Sequence, residues 1–335
     1  MRILVSSHAF APSLGGIETV SRLLAQEFVT LGHEVTVVTQ TPGEASENFS
    51  VVRRPLVREL FRLINGCDIF WHNNLSLRTL WPVSVRPKPL VVTHQGSYGM
   101  RPDGFDGALR IKRAVASRVT GVAISQFVAA CLDAPSIVIP NPYDARVFTK
   151  ESPAIERTGE LLFVGRLVSE KGLDLLLETL SHLRKWELRP SLTVVGAGPE
   201  LNAMQKLAGD LGLHDQVTFA GPQRGEELAK IFHSHRILVV PSRYDEPFGV
   251  VALEGIACGC VVVGSKGGGL PEAIGPCGLT FPNGDAGALA EALEKLLGAP
   301  DECDGLRAPA QKHLVHFHPT AIAHRYLDLF RSKLP

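Results

Sequence analysis

Apolar and polar positions alternate along this chain in two rhythms. Residues 2–7, RILVSS, form a short apolar run that predicts a strand. Residues 15–33 place apolar side chains at helical spacing and stop at Gly32, and residues 34–40, EVTVVTQ, predict a second strand. Strand, loop, helix and strand within forty residues predict a βαβ unit and a parallel sheet. Further short buried strands are expected at 67–73, 89–95, 121–125 and 136–141, with helical segments in several of the gaps. Residues 143–160 are polar, contain Pro153 and lose the periodicity, as a linker does.

The pattern then restarts. Strands are expected at 160–166, 191–198, 216–221, 236–242, 260–265 and 278–282. Helices are expected at 173–186, 200–212 and 286–298, and residues 319–334 close the chain as another. The expectation is an α/β protein of two doubly wound Rossmann-like halves with a hinge near residue 145. Ligands of such sheets sit beyond the carboxyl ends of the strands, and with two halves the natural site is the cleft between them.

Composition supports this picture. A chain of 335 residues with 45% hydrophobic side chains can bury two cores. No apolar run approaches the ~20 residues needed to cross a membrane, and residues 1–10 lack the pattern of a secretory peptide. The six cysteines are scattered without a CxxC pair, which points to free thiols in a cytoplasmic protein and away from zinc. Net charge is zero but uneven. Residues 1–150 carry 16 Lys/Arg against 11 Asp/Glu, and the remainder carries 18 against 23. The first half therefore tolerates an anionic partner better. Nucleic acid is not indicated, since there is no basic tail and no basic run interleaved with aromatics.

Several stretches carry candidate chemistry. In LGGIET (14–19), Gly15 and Gly16 lie between strand and helix, where backbone can approach a ligand or simply turn tightly. In VGRLVSEKGLDLLL (164–177), Gly165 and Arg166 end a strand, and Lys171 and Gly172 precede a helix. Two cations and a helix start converging on one place can neutralise a diphosphate without metal. VVGAGPEL (194–201) lacks the third glycine of a dinucleotide fingerprint, because Leu201 stands there, and this argues against NAD. His94 ends a strand, where it can bond a hydroxyl or act as acid or base, and Asn73 and Asn74 occupy a similar place. Residues 101–118 mix Arg101, Arg110, Lys112, Arg113 and Arg118 with apolar side chains, as either a solvated helix face or a membrane-surface helix does.

The stretch SRYDEPFGVVALEGIACG (242–259) places Glu246 in a loop after a strand and Glu254 in the following helix. Eight helical residues span about 12 Å at 1.5 Å each. That is too far for a shared metal or a proton-sharing dyad, and it suits two carboxylates holding opposite ends of an elongated ligand. Carboxylates accept paired hydroxyls well, and the helix-start amides around Phe248, Gly249 and Val250 would face the same ligand.

EPFGVVALE resembles the E-x7-E motif of the retaining GT-B glycosyltransferases, most closely those of family four. GGIET, THQGSYG, AISQFV, VGRLVSEKGLDLLL, VVGAGPE, VTFAG and GGGLPEAI follow in that family's order over nearly the whole chain. The resemblance implies two facing Rossmann-like domains, 1–145 on the acceptor side and 146–315 for the nucleotide sugar. It implies a terminal helix, 316–335, returning to the first. Arg166 and Lys171, beside Gly165, would bind the donor diphosphate. Glu246 and the amides after Phe248, at Gly249 and Val250, would hold the sugar, and Glu254 the ribose. Gly16 would approach the phosphates and His94 the reacting carbon.

The implied activity is metal-independent transfer of a hexose from UDP or GDP, with retained configuration. The acceptor would be a glycan, a lipid-linked group or a small molecule. No cofactor is implied beyond the nucleotide sugar as substrate. Peripheral contact with the inner membrane face would run through 101–118. A sugar-nucleotide epimerase and a non-catalytic binder of sugar nucleotides or polysaccharide are the alternatives. IPNPYD (139–144) departs from the family's usual Asn-Gly, and the chain is short between residues 40 and 90.

Overall fold

The structure is a computed structural model and describes residues 1–13, 15–44, 47–96, 107–150 and 157–334. The chain divides into two units, Met1–Pro142 with Phe317–Pro335, and Tyr143–His316.

The first unit runs β1 (Arg2–Ser6), α1 (Gly16–Thr30), β2 (Glu34–Thr39), β3 (Ser50–Arg53), α2 (Val57–Gly66), β4 (Ile69–Asn73), α3 (Leu77–Leu80), β5 (Leu90–His94), α4 (Gly107–Ala116), β6 (Thr120–Ala123), α5 (Gln126–Ala130) and β7 (Ser136–Val138). The strands pair in parallel in the order β3-β2-β1-β4-β5-β6-β7. The order reverses between β1 and β4, and loops after these strands diverge to leave a crevice. Side chains alternate across the sheet. Ile3, Val5, Ile69 and Trp71 pack with Val20, Leu24 and Phe28 of α1. Leu4 and Phe70 face the other way, onto Leu60 and Ile64 of α2. Burial on both faces is why the middles of these strands are apolar on successive residues. β7 ends at Val138, short of the expected 136–141, although the Ile139 amide still donates to the Ala123 carbonyl at 3.0 Å. Of the basic stretch 101–118, residues 101–106 lie outside the described residues and α4 covers most of the rest.

The second unit runs β8 (Gly159–Val164), α6 (Leu173–Leu183), β9 (Leu192–Val195), α7 (Leu201–Asp210), β10 (Val217–Gly221), α8 (Gly225–Ser234), β11 (His235–Val240), α9 (Val250–Ala257), β12 (Val261–Ser265), α10 (Leu270–Ile274), β13 (Gly278–Phe281), α11 (Ala286–Gly298), α12 (Pro300–Arg307) and α13 (Ala310–Leu314). Its parallel order, β10-β9-β8-β11-β12-β13, reverses between β8 and β11. Leu173, Leu176, Leu177 and Leu180 of α6 and Leu289, Leu293 and Leu296 of α11 cover one face.

The last helix, α14 (Pro319–Arg331), is part of the first unit. Ile322, Tyr326 and Phe330, at four-residue spacing, enter the core beside Trp71 and Phe28. The Tyr326 ring lies 5.1 Å from Trp71 and the Phe330 ring 5.7 Å from Phe28. Thr93 Oγ1 joins Trp71 Nε1 at 2.9 Å and Tyr326 OH at 2.9 Å, so the buried polar tips of both aromatics are satisfied.

Candidate active site

In the second unit, the loops after β8 and β11 meet at the point where strand order reverses. β8 leads through Gly165 to Arg166, which is exposed and has no carboxylate partner among the described residues. A 3-10 turn, Ser169–Lys171, brings Lys171 to the loop after β11. There Lys171 Nζ donates to Glu246 Oε1 at 2.6 Å and to Tyr244 OH at 3.3 Å, and it lies 5.2 Å above the Tyr244 ring. Ser242 Oγ donates to Glu246 Oε1 at 2.6 Å, and Tyr244 OH to Oε2 at 2.5 Å. Glu246 is only 5% exposed, and these three donors account for its burial as a charged group. Burial, followed by the charge of Glu246, raises the Tyr244 phenol, which therefore remains a donor at every physiological pH.

The backbone of this loop is fixed from the far side. Glu246 bridges to Gly268, and the Gly269 amide donates to the Glu246 carbonyl at 2.6 Å. Gly268 adopts φ +74°, and a Cβ there would strike the Glu246 carbonyl oxygen. Asn283 Oδ1 receives the Gly267 amide at 2.8 Å, and its Nδ2 donates to the Tyr244 carbonyl at 3.4 Å. Gly196, in the GAG turn after β9, has φ +151°, and a Cβ there would meet the Gly165 carbonyl. These glycines thus serve close packing of one site loop upon another.

α9 begins at Val250, after Gly249 at φ +107°, and no side chain caps it. Phe248 is buried beneath its start. Glu246 lies in the loop after β11 and Glu254 in the following helix, as expected, but the loop runs on through Gly249 and only the stretch from Val250 is helical, so the eight positions are not all helical. The 12 Å estimate therefore does not describe the separation of the two carboxylates. Glu254 is half-buried one turn into α9, with no cation or hydrogen-bond donor to its carboxyl among the described residues. Burial, then the charge of Asp144, raises its carboxyl to about 7.

In the first unit, Gly16 opens α1, exposed and without a side-chain cap. The Glu18 carboxylate lies beside Gly15 and accepts from Ser13 Oγ at 3.3 Å, so an acidic group stands close to the amides expected to meet phosphate. His94 is buried at the end of β5 and lines a small cavity with Gly121, Cys131 and Ser136. Burial lowers its imidazole to about 4, which keeps it neutral at pH 7. Asn73 and Gln95 belong to a buried network that the sequence reading did not assemble. Gln95 Nε2 donates to Asn73 Oδ1 at 2.7 Å, Asn141 Nδ2 to Gln95 Oε1 at 2.7 Å, and Asn73 Nδ2 to Ser21 Oγ at 2.7 Å. It ties the loops after β4 and β5 to the residues following β7.

Lys171 and Glu246 are thus in contact, with Arg166 close enough for its charge to act on the Tyr244 phenol. Ser242, Tyr244 and Asn283 were not anticipated; the first two lie within the quoted motif, but nothing in their spacing marks them. No group of three or more His, Cys, Asp or Glu among the described residues is arranged to hold a metal ion.

Comparison with known proteins agrees with this architecture. Relatives include the D-inositol 3-phosphate glycosyltransferase of Corynebacterium jeikeium, 36% identical over 53% of this chain and 45% of that protein. Another is the GDP-mannose-dependent alpha-(1-6)-phosphatidylinositol monomannoside mannosyltransferase of Mycolicibacterium smegmatis, 28% identical over 89% of this chain and 90% of that protein. The chain spans about half the length of the inositol-phosphate enzymes that it matches. Among solved structures, sucrose-phosphate synthase from Thermosynechococcus elongatus superposes with a TM-score of 0.82 at 23% identity, covering 99% of this chain and 98% of that one. Anabaena HepE in complex with UDP gives 0.85 at 20% identity, covering 99% and 100%. The fold is GT-B. With residues 146–313 matching the family model for glycosyl transferases group 1, the chain belongs to that family.

Proposed function

We propose that this chain is a hexosyltransferase that takes its sugar from a UDP- or GDP-linked donor, retains the anomeric configuration and needs no metal ion. The observation that carries the proposal is the buried Glu246 carboxylate, fixed by Lys171, Ser242 and Tyr244 where the strand order of the second sheet reverses. A carboxylate has about four acceptor sites. Three are used here, and one is left on Oε2 for a sugar hydroxyl. Lys171 retains an N–H beyond those given to Glu246 and Tyr244, and the guanidinium of Arg166 is exposed. Both cations can therefore face a diphosphate. The amides at Gly249 and Val250 add donors at a helix start. Glu254 would accept the ribose diol. The amides near Gly16 would approach the phosphates, and His94 would stand near the reacting carbon.

In the reaction, the bond from the sugar C1 to the diphosphate oxygen breaks as a bond to the acceptor oxygen forms on the same face. The acceptor's proton passes to the departing diphosphate. Arg166 and Lys171 stabilise the charge that develops there, and orientation supplies the remainder. No protein nucleophile and no cofactor take part. The names of the relatives support a GDP-linked donor and an inositol-type or lipid-linked hydroxyl acceptor, and the UDP complex of HepE supports a uridine donor equally. The reaction would take place in the cytoplasm.

A panel of nucleotide sugars tests this. Pure protein should release nucleotide from one donor once acceptor is present, and that donor should raise its melting temperature. Glu246→Ala and Lys171→Ala should each abolish transfer with the fold retained. No response to any donor, or unchanged turnover in both variants, would refute the reading.

A further inference from the structure

The first unit carries an apolar, basic face that the donor chemistry does not use. α2, α3 with the 3-10 turn Trp81–Ser84, and α4 lie along the sheet face of Leu4, Phe70 and Val92, joined through Val83 and Val115. Their outer surface is not polar. Leu56 (77% exposed), Val57, Trp81, Val85 and Ile111 are five of the eight large apolar side chains that stand out among the described residues. Trp81 is braced edge-on by Phe61, with ring centres 5.5 Å apart.

Charge on this face is one-sided. From Arg53 to Lys88 there are seven Lys/Arg and two Asp/Glu. Asp68 is taken by Arg2 at 2.6 Å, and Glu59 lies 3.9 Å from Arg62. Arg53 and Lys88 turn inward to backbone carbonyls. Arg54, Arg58, Arg62, Arg78 and Arg86 remain exposed. On α2, Arg58 and Arg62 stand one turn apart, opposite the buried Leu60 and Ile64.

We propose that this face docks onto an anionic phospholipid bilayer, with Leu56, Val57, Trp81 and Val85 entering the headgroup region and the arginines pairing with lipid phosphates. Charge complementarity selects this occupant. Exposed apolar groups interspersed with exposed arginines suit a soft anionic interface, and Trp favours that depth. A single weak insertion does not hold a protein on a membrane, whereas insertion combined with a basic patch does. The surface centres on 54–86, with α4 contributing its edge through Ile111. It is independent of the donor reading.

The test uses the full chain with vesicles of phosphatidylglycerol and phosphatidylcholine, and of phosphatidylcholine alone. The protein should sediment with the anionic vesicles, stay in solution with the neutral ones and be released by 0.5 M salt. Tryptophan emission should shift to the blue on binding. Trp186→Phe should keep that shift, and Trp81→Phe should remove it. Arg58→Glu with Arg86→Glu should weaken partitioning at least about tenfold while the melting temperature holds. Failure to bind anionic vesicles overturns the proposal. So does a blue shift that survives Trp81→Phe. So does a dimer in solution that Trp81→Ser dissociates, because the face would then be covered by a second copy.

Discussion

Glu246 is held by a lysine, a serine and a tyrosine, and each makes a different contribution. Lys171 supplies charge, Ser242 fixes Oε1, and Tyr244 fixes Oε2 while its ring lies under the lysine. Tyr244→Phe removes one charge-assisted hydrogen bond, worth about 1.5–3 kcal/mol. It should weaken binding of the sugar nucleotide about tenfold or more and leave the free nucleotide nearly unaffected, as calorimetric titration of both ligands would show. Equal losses for both would place Tyr244 outside the sugar subsite. Glu254 is different, because burial raises its carboxyl to about 7 and no partner among the described residues offsets it. Between the unfolded value near 4.5 and about 7 the folded state binds the extra proton, so stability falls as pH rises through this window and is level above it. Glu254→Gln should flatten that slope and stabilise the protein at pH 8 by at most roughly 3 kcal/mol, measured by urea titration at pH 5 and pH 8. If ribose is its ligand, donor affinity in the wild type should rise with pH through the same window, since the carboxylate is the better acceptor. At this scale the sequence showed Glu246, Glu254, Arg166 and Lys171 by residue type and position. It did not show that Lys171 and Glu246 touch, because that contact joins loops 75 residues apart in sequence.

Elements were legible where burial is two-sided. β1, β4, β5, β8, β11 and β12 have apolar, buried middles because helices cover both faces, and each was expected within two residues of its observed start. β3 was not expected: Ser50–Arg53 is an edge strand of four residues, half-exposed, with too few positions to show a period. α12 and α13 were missed for a related reason. They are short, polar and separated by Pro309, so their sequence resembles a loop. Glu246 was rightly expected in a loop, but apolar spacing through Pro247 and Phe248 does not show where the next helix begins, and the left-handed Gly249 delays its first turn to Val250. What positions this loop comes from a distant element, the Gly267–Gly269 turn after β12. Gly268→Ala would place a methyl against the Glu246 carbonyl and strain a backbone at φ +74°. The variant should bind donor less well and lose about 2 kcal/mol or more of stability, whereas an alanine at the exposed Gly16, which has open space and an ordinary backbone conformation, should leave stability nearly unchanged. Parallel denaturation of the two variants, with a donor titration of the Gly268 variant, checks this, and equal stability of both would refute the packing role.

Across the whole molecule, chain order and spatial order part company. The second unit is one continuous stretch, Tyr143–His316, whereas the first is completed by residues that follow it, Phe317–Pro335. The restart of the strand pattern after residue 160 revealed two sheets, but periodicity alone does not tell which sheet a terminal amphipathic helix covers, and only the family resemblance suggested it. The answer lies in aromatic packing. Phe330 contacts Phe28, Trp71 and Tyr326 in one buried cluster, and Tyr326 closes a hydrogen-bond chain through Thr93 to Trp71. Phe330→Ala leaves a cavity there and should cost about 3–5 kcal/mol. The loss should be local. Amide exchange should quicken in β1, β4 and β5, which form the floor of that cluster, and stay unchanged in β8, β11 and β12, whose core is built from α6 and α11. Calorimetry should then show an early transition separating from a later one that keeps its wild-type temperature. If protection instead falls equally in both sheets, the units unfold as a single cooperative block and the returning helix stabilises the whole chain.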